Sequence, residues 1–384
     1  MVRNKRRIAV VSGKRGGFGA MLPLMKAIDS REDMEMVLIV TDQHLYKEFG
    51  ETVKEVERWF EVGYKLYLDQ ADDMPISRAS AIGRCLEKMA YVLDECRPDI
   101  LLILGDRGEV LAAVIAAINL KIPVAHIQGG DISGCIDEFV RHAITKMSHI
   151  HFPSTKASAE RIYRMGEEEW RIHVVGDCHL DEIAFGNFTP RDKILSKFGL
   201  DLSRPIILTL QHPVTTEPEK SYEQMKATCD ALVRLKHQTI MVYPCSDHGY
   251  EGIIRAIEEM KGKTWVRIYK NIDCHDFWGL ENVASVFVGN SSAGLIETPF
   301  FKLPSVTIGK RQEGRERAEN CIYSEPVADD IYKAITYCLY DEDFKKTAKN
   351  CSQPFGDGYA WKRMLNVLSS VELGSKLFEK KMTY

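Results

Sequence analysis

The sequence predicts an α/β chain built from two Rossmann-like domains facing a cleft. Three observations carry this prediction. The chain has 384 residues, too many for one typical core and suited to two domains of roughly 150 to 200 residues each. Short runs rich in Val and Ile alternate with segments of helical period, the β-α-β rhythm of a parallel sheet covered on both faces. The same rhythm starts afresh in the second half.

In the first half the clearest strands are Arg7–Val11, Met36–Val40, Ile100–Leu104 and Val124–Ile127, with amphipathic helices at 77–96 and 109–119 between them. In the second half strands are expected at 206–210, 239–243, 265–268, 285–288 and 305–308. The segment FTPRD, 188–192, breaks the pattern and precedes a fresh helix, so the domains are read as 1–188 and 189–358. Residues 359–384 read as a terminal helix returning to the first domain, and the acidic triplet Glu167–Glu169 as a solvated turn. In doubly wound sheets ligands bind beyond the carboxyl ends of the strands, so the strand-end loops are where chemistry is sought.

Composition narrows the function classes. With 45% hydrophobic and 28% charged residues the chain is an ordinary globular one. A formal net charge of -4 argues against nucleic acid as a partner, because such binding needs a surplus of Lys and Arg. The ten cysteines are scattered without a C-x-x-C pair and read as reduced thiols. The basic start MVRNKRR is followed by too short an apolar run for a secretion signal, and no stretch reaches the roughly 18 apolar residues of a membrane span. The expected location is the cytoplasm, with no membrane partner.

Several strand-end loops carry candidate chemistry. SGKRGGFG, 12–19, combines glycines, a helix start and Arg15, which together suit an anion. In GNSSAGLIE, 289–297, Ser291 and Ser292 can cap a helix or bond phosphate oxygens, and Glu297 can accept from ribose hydroxyls. GKRQEGRERAEN, 309–320, holds four basic side chains, of which Arg311 is placed to close over a phosphate, along with Gly314. His212 of QHPVT can donate to a diphosphate. The acids come from the first half: Asp106 in GDRGE, then Asp131 and Asp137 in HIQGGDISGCIDE, which also contains Gln128. Carboxylates crowded in a partly dry cleft raise one another's pKa and can exchange protons near neutral pH. Asp137 is also placed to cap the helix through Arg141, His142 and Lys146. His142, His149 and His151 lack a compact metal spacing, so no metal is expected, and neither a G-x-S-x-G elbow nor a Cys–His pair offers a covalent nucleophile.

Taken in order, GKR, GDR, HIQGGD, IDEFVRHAITKMSHIHF, HPVT, GNSSAGLIE and GKRQEGRERAEN resemble the hydrolysing UDP-N-acetylglucosamine 2-epimerase family, in its sialic-acid and legionaminic-acid branch, from about Arg7 to Ile322. The resemblance implies a fold of the glycosyltransferase-B type, with nucleotide on the second domain and sugar on the first. It implies anti elimination of the C2 proton and the nucleotide diphosphate from UDP-N-acetylglucosamine, hydration of the resulting glycal, and release of N-acetylmannosamine and UDP. By position, Asp106 and Asp137 match the family's catalytic acids, with Asp131 beside them. Arg15, His212, Ser291, Ser292, Gly294 and Glu297 match nucleotide contacts, and Arg311 falls in the closing loop. Gln128, Arg141 and His142 are assigned to the sugar. The resemblance implies no cofactor and a homodimer or homotetramer.

Two departures bear on the substrate. Gln128 stands where many relatives carry Glu and cannot act as a base, leaving Asp131, or Asp106 with Asp137, to do so; Gly16 and Gly17 stand where relatives often show Ala-Glu. The same chemistry on a UDP- or GDP-linked 2,4-diacetamido-trideoxyglucose is therefore an alternative. Further alternatives are a glycosyltransferase of the same architecture, a nucleotide-sugar binder without turnover, and, more distantly, a nicotinamide enzyme using Asp42.

Overall fold

The computed structural model describes residues 5–47, 50–72, 74–133, 137–245 and 247–384, and the side chains of all of these except Arg15, Pro75 and Asp137. The chain divides into two compact units, Met1–Asp131 with Asp137–Asp181 and Gly356–Tyr384, and Ile132–Ile136 with Glu182–Phe355. The crossings fall at 181/182 and 355/356, slightly before the positions where the FTPRD break and the terminal segment place them.

The first unit holds a six-stranded sheet of order β3-β2-β1-β4-β5-β6, with every pairing parallel. Its strands are β1 (Arg6–Ser12), β2 (Met34–Thr41), β3 (Tyr64–Leu66), β4 (Ile100–Leu104), β5 (Val124–Ile127) and β6 (Ile150–Phe152). The helices among them are α1 (Arg15–Asp29), α2 (Val53–Val56), α3 (Pro75–Cys96), α4 (Gly108–Asn119), α5 (Asp137–Met147) and α6 (Lys156–Arg164). The unbroken apolar runs of β1 and β4 follow from burial on both faces. Ile8 and Val10 join one core with Ile100 and Leu102, while Ala9 and Val11 join the opposite core with Leu101 and Ile103. Each Val, Leu and Ile among them contributes about 1.5–3 kcal/mol by leaving water.

The second unit repeats the plan with order β12-β11-β10-β7-β8-β9, again parallel throughout. Its strands are β7 (Ile206–Leu210), β8 (Gln238–Val242), β9 (Val266–Tyr269), β10 (Val286–Gly289), β11 (Ser305–Ile308) and β12 (Cys321–Ser324). Helix α7 (His179–Ala184) spans the first crossing, followed by α8 (Arg191–Phe198), α9 (Ser221–Leu235), α10 (Tyr250–Glu258), α11 (Cys274–Val283), α12 (Ala293–Ile296), α13 (Ala328–Tyr340) and α14 (Glu342–Lys349). Ile207 packs to one face with Met225 and Leu232, Ile206 and Leu208 to the other with Ile194 and Phe198.

The chain then returns to the first unit as α15 (Ala360–Ser370) and the short α16 (Ser375–Phe378), two helices where the sequence predicts one. Ala360, Met364 and Leu368, four apart along one helical stripe, lie in the same core as Leu24 and Ile28 of α1. The buried Asp181 carboxylate accepts the backbone N–H groups of Ala360 and Trp361, each at 2.8 Å, and so satisfies two free donors at the start of α15.

Two expectations are corrected. Glu167 does not lie in a solvated turn: it is 0% exposed and bonds Lys146 (2.6 Å), Lys380 (2.7 Å) and His151 (3.1 Å). A buried carboxylate persists only when paired, and Lys380 comes from the far end of the chain, out of reach of local pattern. Strands β3, β6 and β12 were not expected at all. Each is an edge strand of three or four residues that includes a polar one, YKL, IHF and CIYS, and shows neither an apolar run nor a full alternation.

Candidate active site

In the first unit the loops after β4 and β5 hold the predicted acids, and the loop after β1 holds the glycine-rich segment. The β1 loop runs from Ser12, whose hydroxyl bonds the buried His44 ring at 2.9 Å, to Gly13, where the Glu109 side chain occupies the space a Cβ would need. Glu109 is itself fully buried and takes Arg107 at 2.8 Å and Arg78 at 2.9 Å. The same two guanidinium groups hold Asp42 at 2.9 and 3.2 Å. Asp42 is thus a buried member of a four-charge cluster, which weighs against the ribose-binding role considered for it. Arg15 opens α1 and its side chain lies outside the described residues; Lys14, not a polar cap, precedes the helix. A Cβ at Gly16 would meet nothing within 4 Å, so glycine there answers no packing demand.

Asp106, just past β4, is ion-paired with Arg141, whose side chain is only 6% exposed. Arg141 also donates to the backbone carbonyl of Asp131 at 2.9 Å, and the buried Asp131 carboxylate accepts from the Ser158 hydroxyl at 2.6 Å. One guanidinium from α5 therefore joins the two loops that carry Asp106 and Asp131. Asp137 is the first residue of α5, with its side chain outside the described residues. His142 sits one turn on from Glu138, at 3.9 Å; burial lowers its pKa, and its Nδ1 is enclosed without a hydrogen-bond partner among the described residues. His149 and His151 do not join it, since His149 accepts from the Val124 amide at 3.0 Å and His151 bonds Glu167.

Gln128 follows β5 in the left-handed region, φ 63°, a conformation that costs a residue with a Cβ of order 1–3 kcal/mol. Its amide donates to Asp177 Oδ2 at 2.9 Å and lies 3.2 Å from His179 Nδ1. Ser154 donates to the same carboxylate oxygen at 3.1 Å. Asp177 is fully buried. Burial would push its carboxyl up, but His179 and its hydrogen-bond donors hold it down at about 2.

In the second unit the loops after the adjacent strands β11, β10 and β7 are joined through Asn290. Its Oδ1 accepts from the His212 backbone N–H at 2.7 Å and its Nδ2 donates to the His212 carbonyl at 2.9 Å. Its own carbonyl accepts from Arg311 at 3.2 Å and Gln312 at 3.0 Å. Gly289 is required here, because a Cβ would collide with the Leu210 carbonyl and φ is 150°. Ser292 is the N-cap of α12 without a side-chain bond, and the buried Ser291 hydroxyl accepts from the Ala293 amide at 3.4 Å. Gly294 is buried where a Cβ would press on Phe287 and Ser305, and Gly314 has φ 77°. Glu297 accepts from Trp278 Nε1 at 3.1 Å and neighbours the fully buried Glu281, which burial and the Glu297 charge push well above the usual carboxylate range.

The fold also makes a Cys–His contact that spacing does not show. The Cys245 backbone N–H donates to His212 Nδ1 at 3.1 Å, so a neutral His212 carries its proton on Nε2, and Cys245 Sγ lies 3.2 Å away. Although Cys245 is an exposed residue, desolvation of its sulfur and the Asp247 carboxylate push the thiol up to about 12, which makes it no nucleophile. Asp247 in turn lies 3.7 Å from Arg311.

Sequence reasoning passed over Glu109, Asp177, His179 and Asn290. Glu109 and Asn290 lie inside motifs it had singled out, GDRGE and GNSS, and a count of polar residues at each strand end would have found them. Asp177 and His179 sit in a stretch, DCHLDE, with no spacing signal. Among the described residues no helix is long and apolar enough to cross a membrane.

The family described as UDP-N-acetylglucosamine 2-epimerase matches residues 26–369. The chain is 37% identical over 380 residues to the UDP-N,N'-diacetylbacillosamine 2-epimerase (hydrolyzing) of Legionella pneumophila, covering 99% of this chain and all of that protein. It is 32% identical over 331 residues to a UDP-N-acetylglucosamine 2-epimerase of Neisseria meningitidis, covering 86% of each. In fold it is similar to the crystal structure of UDP-GlcNAc 2-epimerase from Neisseria meningitidis bound to UDP-GlcNAc, with a TM-score of 0.83 at 16% identity over 94% of this chain and 99% of that one. Motifs, twin parallel sheets and full-length likeness agree: this chain belongs to the UDP-N-acetylglucosamine 2-epimerase family.

Proposed function

We propose that this chain is a hydrolysing 2-epimerase that converts a UDP-linked 2-acetamido sugar to the free C2 epimer and UDP. UDP-N,N'-diacetylbacillosamine is the favoured substrate, and the observation that carries it is the end-to-end likeness to the Legionella enzyme of that activity. UDP-N-acetylglucosamine, giving N-acetylmannosamine, is the second reading, favoured by the Neisseria relative. In either case loss of the C2 proton and of UDP leaves a glycal, and water adds across its double bond.

The first unit is assigned the sugar and the proton transfers, through Asp106, Asp131 and Asp137, with Gln128, Arg141 and His142 as sugar contacts. Arg141 supports this by pairing with Asp106 and fixing its position. The second unit is assigned the nucleotide, through His212, Ser291, Ser292, Gly294, Glu297 and Arg311, with Arg15 adding charge. A His212 protonated on Nε2 is a donor suited to a diphosphate oxygen. No metal or redox cofactor enters the scheme. A homodimer or homotetramer in the cytoplasm, supplying sialic- or legionaminic-acid-like sugars, completes the proposal.

The test is incubation with each UDP-sugar in deuterated water, followed by proton NMR. Free mannose-configured sugar deuterated at C2, with UDP, is expected from the diacetamido substrate. A UDP-linked epimer would mean a non-hydrolysing enzyme, and UDP release only with an added acceptor would mean a transferase.

A further inference from the structure

The amide of Gln128 can neither take nor give a proton at neutral pH, yet it sits at the carboxyl end of β5, between the strand end that carries Asp106 and the one that carries Ser154. What it touches is an acid–imidazole pair. Asp177 Oδ1 accepts from the His179 backbone N–H at 3.0 Å and lies 2.8 Å from His179 Nδ1, while Oδ2 takes Gln128 and Ser154. An ionised carboxylate only accepts, so Nδ1 carries the ring proton and the amide hydrogens of Gln128 point to Oδ2. Exchange of a proton with a reactant then falls to Nε2. Burial is graded accordingly: the Asp177 side chain is 0% exposed and that of His179 28%. An inner acid that fixes tautomer and orientation, with an outer imidazole, is the arrangement that makes histidine a general base.

A metal reading of Asp177, Cys178 and His179, whose ligand atoms lie within 4.8 Å of one another, fares worse. The Cys178 thiol is buried and pushed well above its ordinary value, and the Gln128 amide directs hydrogens at the carboxylate a cation would need.

We propose that His179, oriented by Asp177, is the catalytic residue that removes the C2 proton of the sugar, the task an amide at position 128 cannot perform, which leaves the remaining proton transfers to Asp106, Asp131 and Asp137. The assignment rests on the 2-epimerase reading above. In the step, Nε2 takes the proton from C2, the C2–H electron pair becomes the C1=C2 double bond, and the C1–O bond breaks with its pair leaving on the diphosphate. The imidazolium, stabilised by Asp177, passes its proton to solvent. Hydroxide from water then bonds C1, and a proton delivered to the opposite face of C2 completes the epimer.

The experiment compares wild type with His179→Ala, Asp177→Asn and the double variant His179→Ala/Gln128→Glu, measuring UDP release, KM, UDP affinity and melting temperature. His179→Ala is expected to lower kcat roughly a hundred- to ten-thousandfold with KM and UDP affinity nearly unchanged. Added imidazole should restore part of its lost rate, and Gln128→Glu in the same background should restore part by supplying a carboxylate. Asp177→Asn is expected to lose at least tenfold in kcat. An alanine variant within about threefold of wild type, or one that imidazole leaves unmoved while KM, UDP affinity and melting temperature all shift together, overturns the assignment. A wild type that releases no UDP from either sugar overturns the reaction itself, an outcome distinct from the variants matching an active wild type.

Discussion

In the first unit the strand-end loops are held by charge: Arg141 on Asp106, Arg78 and Arg107 on Asp42 and Glu109, His179 on Asp177. In the second unit one amide does most of the tying, with Asn290 joining the loops after β7, β10 and β11, and the ion pairs there, Lys310 with Glu217 and Arg311 with Asp247, are formed by partly exposed side chains. The difference matches the tasks proposed for them. A rim that moves protons needs carboxylates fixed by counter-charges, whereas a rim that grips a diphosphate needs open N–H groups and a few donors. It also sets their vulnerabilities, since a buried ion pair punishes loss of one partner far more than a neutral hydrogen bond does.

The sharpest way to break the contrast is Arg141→Ala. Leaving Asp106 without its guanidinium is expected to cost about 3 kcal/mol of stability in the first unit and most of the activity. Urea unfolding and UDP-release assays read both, and a double variant with Asp106→Asn should recover much of the stability. Asn290→Ala in the second unit removes two neutral hydrogen bonds and is expected to cost about 1–3 kcal/mol, seen as roughly tenfold weaker UDP binding by calorimetry with the chemical step retained. Equal effects of the two variants on stability and on the chemical step would erase the distinction.

Acid should separate the units next. Among the described residues the buried histidines, His44, His126, His149 and His151, all belong to the first unit. Burial holds them down, at about 4, 3, 3 and 4 in turn. A histidine depressed in the folded state contributes stability that is whole above the free value near 6.5 and is lost as pH falls through that value toward the folded one. The first unit should therefore lose hydrogen-exchange protection at β5 and β6 between pH 6.5 and 4, before β7 and β10 lose theirs. The smallest effect is expected at Glu281. Its folded value is raised, so its contribution is whole at low pH and falls as pH rises. Glu281→Gln should leave the melting temperature at pH 4 nearly unchanged and flatten its decline as pH rises past about 4.5.

The central strands β1, β2, β4, β5, β7, β8, β10 and β11 could be read from the sequence because burial on both faces writes an unbroken apolar run into it. Of the four edge strands, β9 was legible too, whereas β3, β6 and β12 left no run long enough to read. Candidate loops were likewise legible where composition is unusual, as in GNSS, GKRQ and GDRGE. Their partners were not: Arg141 was read as a sugar contact, and nothing in its spacing from Asp106 announces an ion pair.

By itself the sequence determined the fold class, the strand-end loops worth watching and the family, because apolar periodicity and motif order are properties of the chain read in line. Tertiary structure alone decided which charges meet. Glu167 is paired by Lys380, which arrives from the far end of the chain, and Gln128 at the end of β5 meets Asp177 and His179, a pair that Ser154 ties to the end of the neighbouring β6. Electrostatic pairing depends on distance in space, and the chain folds through too many residues for that distance to be written in its order.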